Sequence, residues 1–89
     1  MKIKESFVLR QLADTWVVLP LADKTVDFNG MITLNESGVL LWKALETGAD
    51  IDMLVDRLMS EYAVDAQQAR ADVEAFVLKL QEAGCLQVR

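Results

Sequence analysis

The stretch that decides the fold is GMITLNESGVLLWKAL, which covers residues 30–45. Its first part, Gly30 to Leu34, combines apolar and β-branched side chains with no charge and no proline, which is typical of a strand. Asn35 is a favoured helix N-cap, because its side chain can accept a hydrogen bond from a free backbone N–H. Apolar residues then recur at helical spacing, at Val39, Leu41, Trp42 and Leu45. The chain therefore changes from strand to helix at Asn35.

Two further strands are predicted before this change. The first covers Glu5 to Leu12 and the second Thr15 to Leu19, with Ala13-Asp14 between them as a tight turn. Pro20 ends the second strand, because proline has no backbone N–H to donate. Short connections favour an antiparallel meander, in which the first strand and the third, Gly30 to Leu34, form the edges.

Three helices are predicted after the strands. The first is capped by Asn35 and stops at Gly48, and the second begins after Asp50. The second helix carries apolar residues at offsets typical of an amphipathic helix that buries one face. These residues are Ile51, Leu54, Val55, Leu58 and Tyr62.

The third helix has the strongest start signal. Asp65 is followed three positions later by Gln68, which has the form of a capping box, and Gly84 ends the helix. Its apolar stripe consists of Ala66, Ala69, Val73, Phe76, Val77, Leu80 and Ala83. The whole chain, residues 1–89, is thus predicted to be a single α+β domain, with a three-stranded antiparallel sheet followed by three helices.

The composition limits the chemistry of this domain. The chain has one cysteine, no histidine and a net charge of −5. An internal disulfide and the common zinc ligand sets are excluded, and an acidic chain disfavours nucleic acid. The apolar run of Phe7, Val8 and Leu9 is cut by Arg10 and is too short for a signal peptide or a membrane span. We expect a cytoplasmic protein without a membrane partner.

No group of residues has the form of a catalytic site. Cys85 has no histidine to activate it and is expected to be a small apolar residue at the margin of the core. Most carboxylates stand in turns or at helix starts, where they cap backbone N–H groups. Trp16 and Trp42 are expected in the core rather than stacked on bases. The sequence therefore indicates a protein that is not an enzyme.

Two surfaces remain as candidates for binding. The third strand has none of the charges or prolines that guard natural sheet edges, so it is either covered by the fold or pairs with a partner strand. From the residues alone a covered edge is favoured. The second surface is Leu78, which lies with Ala71 and Ala75 on the side of the third helix away from its stripe. It could contact an enzyme or a second copy of the chain.

Several segments taken together resemble the PqqD family, named for a protein of pyrroloquinoline quinone biosynthesis. They are Phe7 to Arg10, Trp16 to Pro20, Leu34 to Gly38, Leu41-Trp42, Glu61 to Asp65, Asp72 to Val77, Leu80 and Gly84 to Leu86. The resemblance implies a winged-helix-like fold and a role as a peptide recognition element for ribosomally made, post-translationally modified peptides. Members bind the leader of a precursor peptide and present it to a tailoring enzyme, often a radical S-adenosylmethionine (SAM) enzyme. The recognition domain itself holds no cofactor and catalyses nothing.

The resemblance also implies a place for the leader peptide. The leader adds as a strand to the third strand and packs against the third helix. By position, the edge becomes Met31, Ile32, Thr33 and Leu34, and the helix contributes a subset of Arg70, Val73, Val77 and Leu80. Cys85 departs from the apolar, leucine-like residue that the family pattern leads us to expect after Gly84.

Two other interpretations stay open. The fold is also that of a winged-helix DNA-binding regulator, although the third helix sets Asp65, Asp72, Glu74 and Glu82 against Arg70 and Lys79, a poor match to phosphates. The chain could instead be an oligomerisation module without a peptide ligand, for example a homodimer that pairs strand edges.

Overall fold

The computed structural model describes residues 1–21 and 32–87. Five strands and three helices follow in chain order: β1 (Lys2–Ile3), β2 (Phe7–Leu12), β3 (Thr15–Pro20), β4 (Ile32–Leu34), α1 (Glu36–Glu46), α2 (Ile51–Glu61), α3 (Ala66–Glu82) and β5 (Leu86–Gln87). Gly30 and Met31, which the sequence assigns to the third strand, lie outside the described residues, as does most of the connection that precedes them.

Strands β2, β3 and β4 form an antiparallel sheet in that order. Leu12 pairs with Thr15 across the predicted Ala13-Asp14 turn, and Val17 in the central strand pairs with Thr33. A three-stranded antiparallel sheet followed by three helices confirms the predicted α+β, winged-helix-like fold. Strand β2 begins at Phe7 rather than at Glu5, because the N–H of Phe7 closes a turn by donating to the carbonyl of Lys4 at 3.2 Å.

A second, two-stranded sheet was not predicted. Strands β1 and β5 pair antiparallel, with Lys2 opposite Gln87 and Ile3 opposite Leu86. The N–H of Lys4 extends the pairing by donating to the carbonyl of Cys85 at 2.9 Å. Strands of two residues are too short to show an alternating pattern, and the two partners stand at opposite ends of the sequence, so sequence inspection could not find them.

The three predicted N-caps are confirmed. The side-chain oxygens of Asn35, Asp50 and Asp65 accept hydrogen bonds from the backbone N–H three residues later, at 2.9, 2.8 and 2.8 Å. Each bond satisfies one of the N–H groups that have no partner within the helix. The sequence thus predicted the start of every helix correctly.

Only one of the two hydrogen bonds of the predicted capping box forms at the start of α3. In a full box the side chain of Gln68 would turn back to the N–H of Asp65. Instead, Gln68 Nε2 donates to Asp72 Oδ1 at 2.8 Å, one turn further along the helix. In the backward bond Gln68 Oε1 would accept from the N–H of Asp65, a bond between neutral groups. In the forward orientation the amide N–H of Gln68 donates to a carboxylate, and this charge-assisted bond is the stronger of the two.

The C-terminus of α3 matches its prediction closely. Gly84 has a φ of +78°, which glycine adopts without a steric penalty. Its N–H donates to the carbonyl of Gln81, and the N–H of Cys85 donates to the carbonyl of Leu80. These two bonds form a Schellman motif, which directs the chain back towards β1.

The core lies between the helices and one face of the three-stranded sheet. Trp42 is fully buried, as predicted, and its ring N–H donates to Glu46 Oε2 at 3.2 Å. Trp16 is only half-buried and packs at the edge of the core, with the ammonium of Lys43 5.4 Å from its ring centroid. Ala66, assigned to the apolar stripe of α3, is exposed because it stands in the first turn of the helix.

The two side-chain hydrogen bonds at the start of α3 predict different costs for two substitutions. Asp65→Ala removes an acceptor that the structure uses, so we expect the free energy of unfolding to fall by about 1 kcal/mol. Gln68→Ala removes only the exposed bond to Asp72, so we expect a loss below about 0.5 kcal/mol. Urea denaturation followed by circular dichroism measures both values, and equal losses would mean that the full capping box forms.

Candidate functional site

The main concave feature of the described residues is a groove between the end of β4 and α3. It encloses about 540 Å³. One side is the stretch from Thr33 to Gly38, which contains the end of β4 and the start of α1, and the other side is α3. The residues that line it are Thr33, Leu34, Asn35, Ser37, Gly38, Leu41, Leu58, Asp72, Ala75, Phe76 and Lys79.

Gly38 permits the close approach of α3 to the strand-to-helix junction. A Cβ atom at this position would lie 3.3 Å from Leu34 Cβ and 3.4 Å from Phe76 Cε1. It would also lie 3.2 Å from Asn35 Oδ1, the atom that caps α1. A side chain at position 38 would therefore crowd Asn35 and Leu34, and it would fill the space up to the ring of Phe76.

Among the described residues, no strand pairs with the outer edge of β4, which lies beside this groove. Within residues 1–21 and 32–87, β3 is the one strand that pairs with β4. The side chains of Ile32 and Leu34 pack against the core, whereas Thr33 is exposed. The described part of β4 thus has backbone groups available along one edge, with the groove beside them.

The groove-facing side of α3 is not the side that the sequence predicted. Four residues, Asp72, Ala75, Phe76 and Lys79, line the groove. The predicted wall residues Val73 and Leu80 are 0% exposed and Val77 is 6% exposed, so they lie in the core. At about 100° of rotation per residue, the centres of the two faces stand roughly a third of a turn apart. Whether the buried residues touch a peptide stays a prediction, but the structure leaves them no free surface.

The fourth predicted wall residue, Arg70, is engaged elsewhere. Its guanidinium donates to Asp52 Oδ1 on α2 at 2.6 Å. This hydrogen bond and the charge of Asp52 raise the pKa of Arg70. Arg70 is not among the residues that line the groove, since it lies on the side of α3 that faces α2.

Phe76 is the groove residue that sequence analysis came closest to finding. It belongs to the predicted apolar stripe, but it was not assigned to the binding site. Its position at the edge of the stripe, next to the polar residues Asp72 and Lys79 at helical spacing, was the available signal. A half-buried aromatic at such a boundary presents part of its ring to a neighbouring surface.

The site has no features of a reaction centre within the described residues. No group of three or more cysteine, aspartate or glutamate side chains there could hold a metal ion. Burial raises the pKa of the Cys85 thiol to about 11, although the charge of Lys4 lowers it slightly. No helix in this part of the chain is long and apolar enough to cross a bilayer.

An open strand edge beside a helix-walled groove is the arrangement of domains that bind an extended peptide as an additional strand. The chain belongs to the PqqD family. The family model described as coenzyme PQQ synthesis protein D (PqqD) matches residues 15–86. This match confirms the resemblance noted in the sequence, and it includes β4, α3 and the groove between them. No curated protein sequence matches the chain significantly.

Two solved structures share the fold. One is TbiB1 in complex with the TbiA(beta) leader peptide, with a TM-score of 0.79 and 28% identity; the match covers 100% of this chain and 98% of that chain. The other is lasso peptide synthetase B1 complexed with the leader peptide, with a TM-score of 0.74 and 24% identity, covering 94% of this chain and 93% of that chain. The second similarity supports the fold alone.

The raised pKa of Cys85 predicts a specific loss of stability at alkaline pH. The folded state favours the protonated thiol, so this contribution is complete below the ordinary pKa of 9.0 and is lost as the pH rises through about 11. Urea denaturation at several pH values in this window should show a steeper fall for the wild type than for Cys85→Ala. Parallel curves for the two proteins would contradict burial of a neutral thiol.

Proposed function

We propose that this chain is a leader-peptide recognition element for a ribosomally made, post-translationally modified peptide. The leader of the precursor binds as an extra strand on the outer edge of β4, antiparallel to it, and its side chains enter the groove against α3. The observation that carries the proposal is that the strands of residues 1–21 and 32–87 leave the outer edge of β4 unpaired beside a groove of about 540 Å³. The chain acts by binding and presentation, and it catalyses no reaction itself.

The two walls of the groove have different tasks in this proposal. Those backbone groups of Ile32–Leu34 that point to the open side bond the peptide main chain, which supplies affinity without regard to sequence. Met31 belongs to the same proposed edge, although it lies outside the described residues. Asp72, Ala75, Phe76 and Lys79 contact the peptide side chains and supply selectivity.

The remaining wall residues of the sequence prediction support the groove from behind. Val73, Val77 and Leu80 hold α3 on the core and so fix its distance from β4. Arg70 ties α3 to α2 through Asp52. In this form of the proposal none of these four touches the peptide, and their substitution would act through stability or groove shape.

Similarity to TbiB1 supports the proposal. That protein was solved with a leader peptide, and the match spans all of this chain. Family membership over residues 15–86 supports it further, because β4 and α3 both fall inside the matched range.

The partners of the complex are part of the proposal. The peptide partner is the leader of a short precursor, and the second partner is the tailoring enzyme that modifies the precursor, with a radical SAM enzyme as the expected class. Both would meet the chain in the cytoplasm. The gene neighbourhood identifies them, since the proposal expects a short precursor and a tailoring enzyme to be encoded beside this chain. That precursor leader is the ligand for the binding measurements below.

Proline substitutions in β4 test the strand-addition site. Along an edge strand, successive N–H groups point alternately to the neighbouring strand and to the open side. Of Ile32→Pro and Thr33→Pro, one therefore removes a donor to β3 and the other a donor to the peptide. We expect the variant that loses the donor to the peptide to keep its circular dichroism spectrum and thermal midpoint. In calorimetry it should bind the leader at least about tenfold more weakly.

The matched control is Gln11→Pro on the opposite edge strand, β2, where the proposal places no peptide. It should leave leader affinity unchanged wherever the variant folds. Unchanged leader affinity in both β4 variants, with an intact fold, would refute the pairing site.

Substitutions on α3 test the second wall. Phe76→Ala removes the ring that lines the groove, and we expect leader affinity to fall about tenfold or more, since an apolar anchor of this size contributes roughly 1.5–3 kcal/mol when buried. Leu78→Ala is the control, because Leu78 is 54% exposed and does not line the groove. Calorimetry with the same leader measures both. A larger effect from Leu78 than from Phe76 would place the peptide on the other face of α3.

A further inference from the structure

The groove continues beyond the end of β4 into a second pocket, here called the end pocket. It encloses about 380 Å³ and is lined by Asn35, Glu36, Ser37, Leu58, Tyr62, Val64 and Asp72. Four of these residues, Asn35, Ser37, Leu58 and Asp72, also line the groove. The two cavities are therefore adjacent, and a peptide that passes Leu34 along the edge of β4 leads into the end pocket.

The end pocket has an apolar base. Leu58 is buried, and Tyr62 and Val64 are partly buried and pack against the core. The three come from α2 and from its connection to α3. Such a base accepts an aliphatic stem or a ring and releases water when it is covered.

The rim of the end pocket is acidic. The carboxylates of Glu36 and Asp72 stand on opposite walls, one in the first turn of α1 and the other on α3. Asp72 Oδ1 accepts the amide of Gln68, which leaves the second oxygen for another donor. No lysine or arginine is among the described residues that line this pocket. Its lining therefore contains two negative charges and no positive one.

The charge of the rim distinguishes the two ends of the groove. Lys79 lines the groove but not the end pocket. It stands seven residues beyond Asp72, which corresponds to about 10 Å along a helix. This length equals about three residues of an extended peptide. A bound strand thus meets a cation at one end and two carboxylates at the other.

We infer that the end pocket binds the side chain of a lysine or arginine of the leader, one that stands just beyond the strand-paired segment. The inference rests on the proposed function and adds to it the class of residue that the site selects. A lysine or arginine lays its methylene stem on Leu58, Tyr62 and Val64 and brings its charge to Glu36 and Asp72. An acidic side chain is repelled. An apolar side chain removes water from both carboxylates and gives them no hydrogen-bond donor in return, which is unfavourable. In an antiparallel complex this residue lies on the N-terminal side of the paired segment.

Selection from a random peptide library tests the inference without knowledge of the natural leader. Phage that display random 16-residue peptides are selected on three immobilised proteins. These are the wild type, the neutral variant Glu36→Gln/Asp72→Asn, and the control Asp56→Asn/Glu82→Gln, which removes the same charge from exposed positions outside both cavities. Circular dichroism verifies that each variant is folded.

The expected result is enrichment of lysine or arginine at a fixed position next to an apolar segment, for the wild type and the control but not for the neutral variant. A synthetic peptide from the wild-type selection should then lose about fivefold or more in affinity when this residue is changed to alanine. The same alanine substitution in the peptide should have little effect on its affinity for the neutral variant. If the substitution weakened the peptide in a general way, both proteins would lose affinity equally.

Two results would overturn the inference. If the wild type selects peptides without a preference for a basic residue, or if the neutral variant keeps the preference, the end pocket does not read a cation, whereas the proposed peptide site stands. If the wild type and the control select no peptides at all, the proposed function fails and the inference fails with it.

Discussion

The contact between Phe76 and the backbone at Gly38 is the constraint on which the rest of the site depends. It is the point at which α3 comes close to the junction where β4 ends and α1 begins, since a Cβ at position 38 would meet the ring at 3.4 Å. Asn35 sets the position of that junction, since its side chain ends the strand by capping the helix. The position of the groove and of the outer edge of β4 follows from these two neighbouring features. One short stretch of sequence therefore contributes to both the core and the candidate binding surface.

Most of the fold could be predicted because its signals are local. Asn35, Asp50 and Asp65 mark helix starts through bonds to the third following N–H, and Gly84 marks an end through its positive φ. The pairing of β1 with β5 could not be predicted, because it joins residues 2–3 to residues 86–87 with too few side chains to form a pattern. The forward bond from Gln68 to Asp72 was missed for a related reason: one side chain can turn back to the N–H of Asp65 or forward to the carboxylate of Asp72, and sequence spacing alone does not rank the two.

The predicted site residues fall into two groups in the structure, and the reason is geometric. The absence of charges marked the third strand as an unguarded edge, and the family resemblance assigned a peptide to it. The described residues Ile32 to Leu34 pair with β3 alone among the described strands. On α3, the apolar residues Val73, Val77 and Leu80 were selected, but an apolar stripe marks the side that faces the core. The side that faces a groove is the margin of that stripe, where Phe76 meets Asp72 and Lys79.

The central claim is that a leader peptide pairs with the outer edge of β4, and nuclear Overhauser effects across the interface test it most directly. The chain is labelled with ¹⁵N and ¹³C and is mixed with an unlabelled leader peptide, so that filtered spectra show contacts between the two molecules alone. The account predicts contacts from the peptide backbone protons to Ile32, Thr33 and Leu34, together with contacts from peptide side chains to the ring of Phe76. Contacts of the peptide backbone with β2 (Phe7–Leu12), and none with β4, would contradict it.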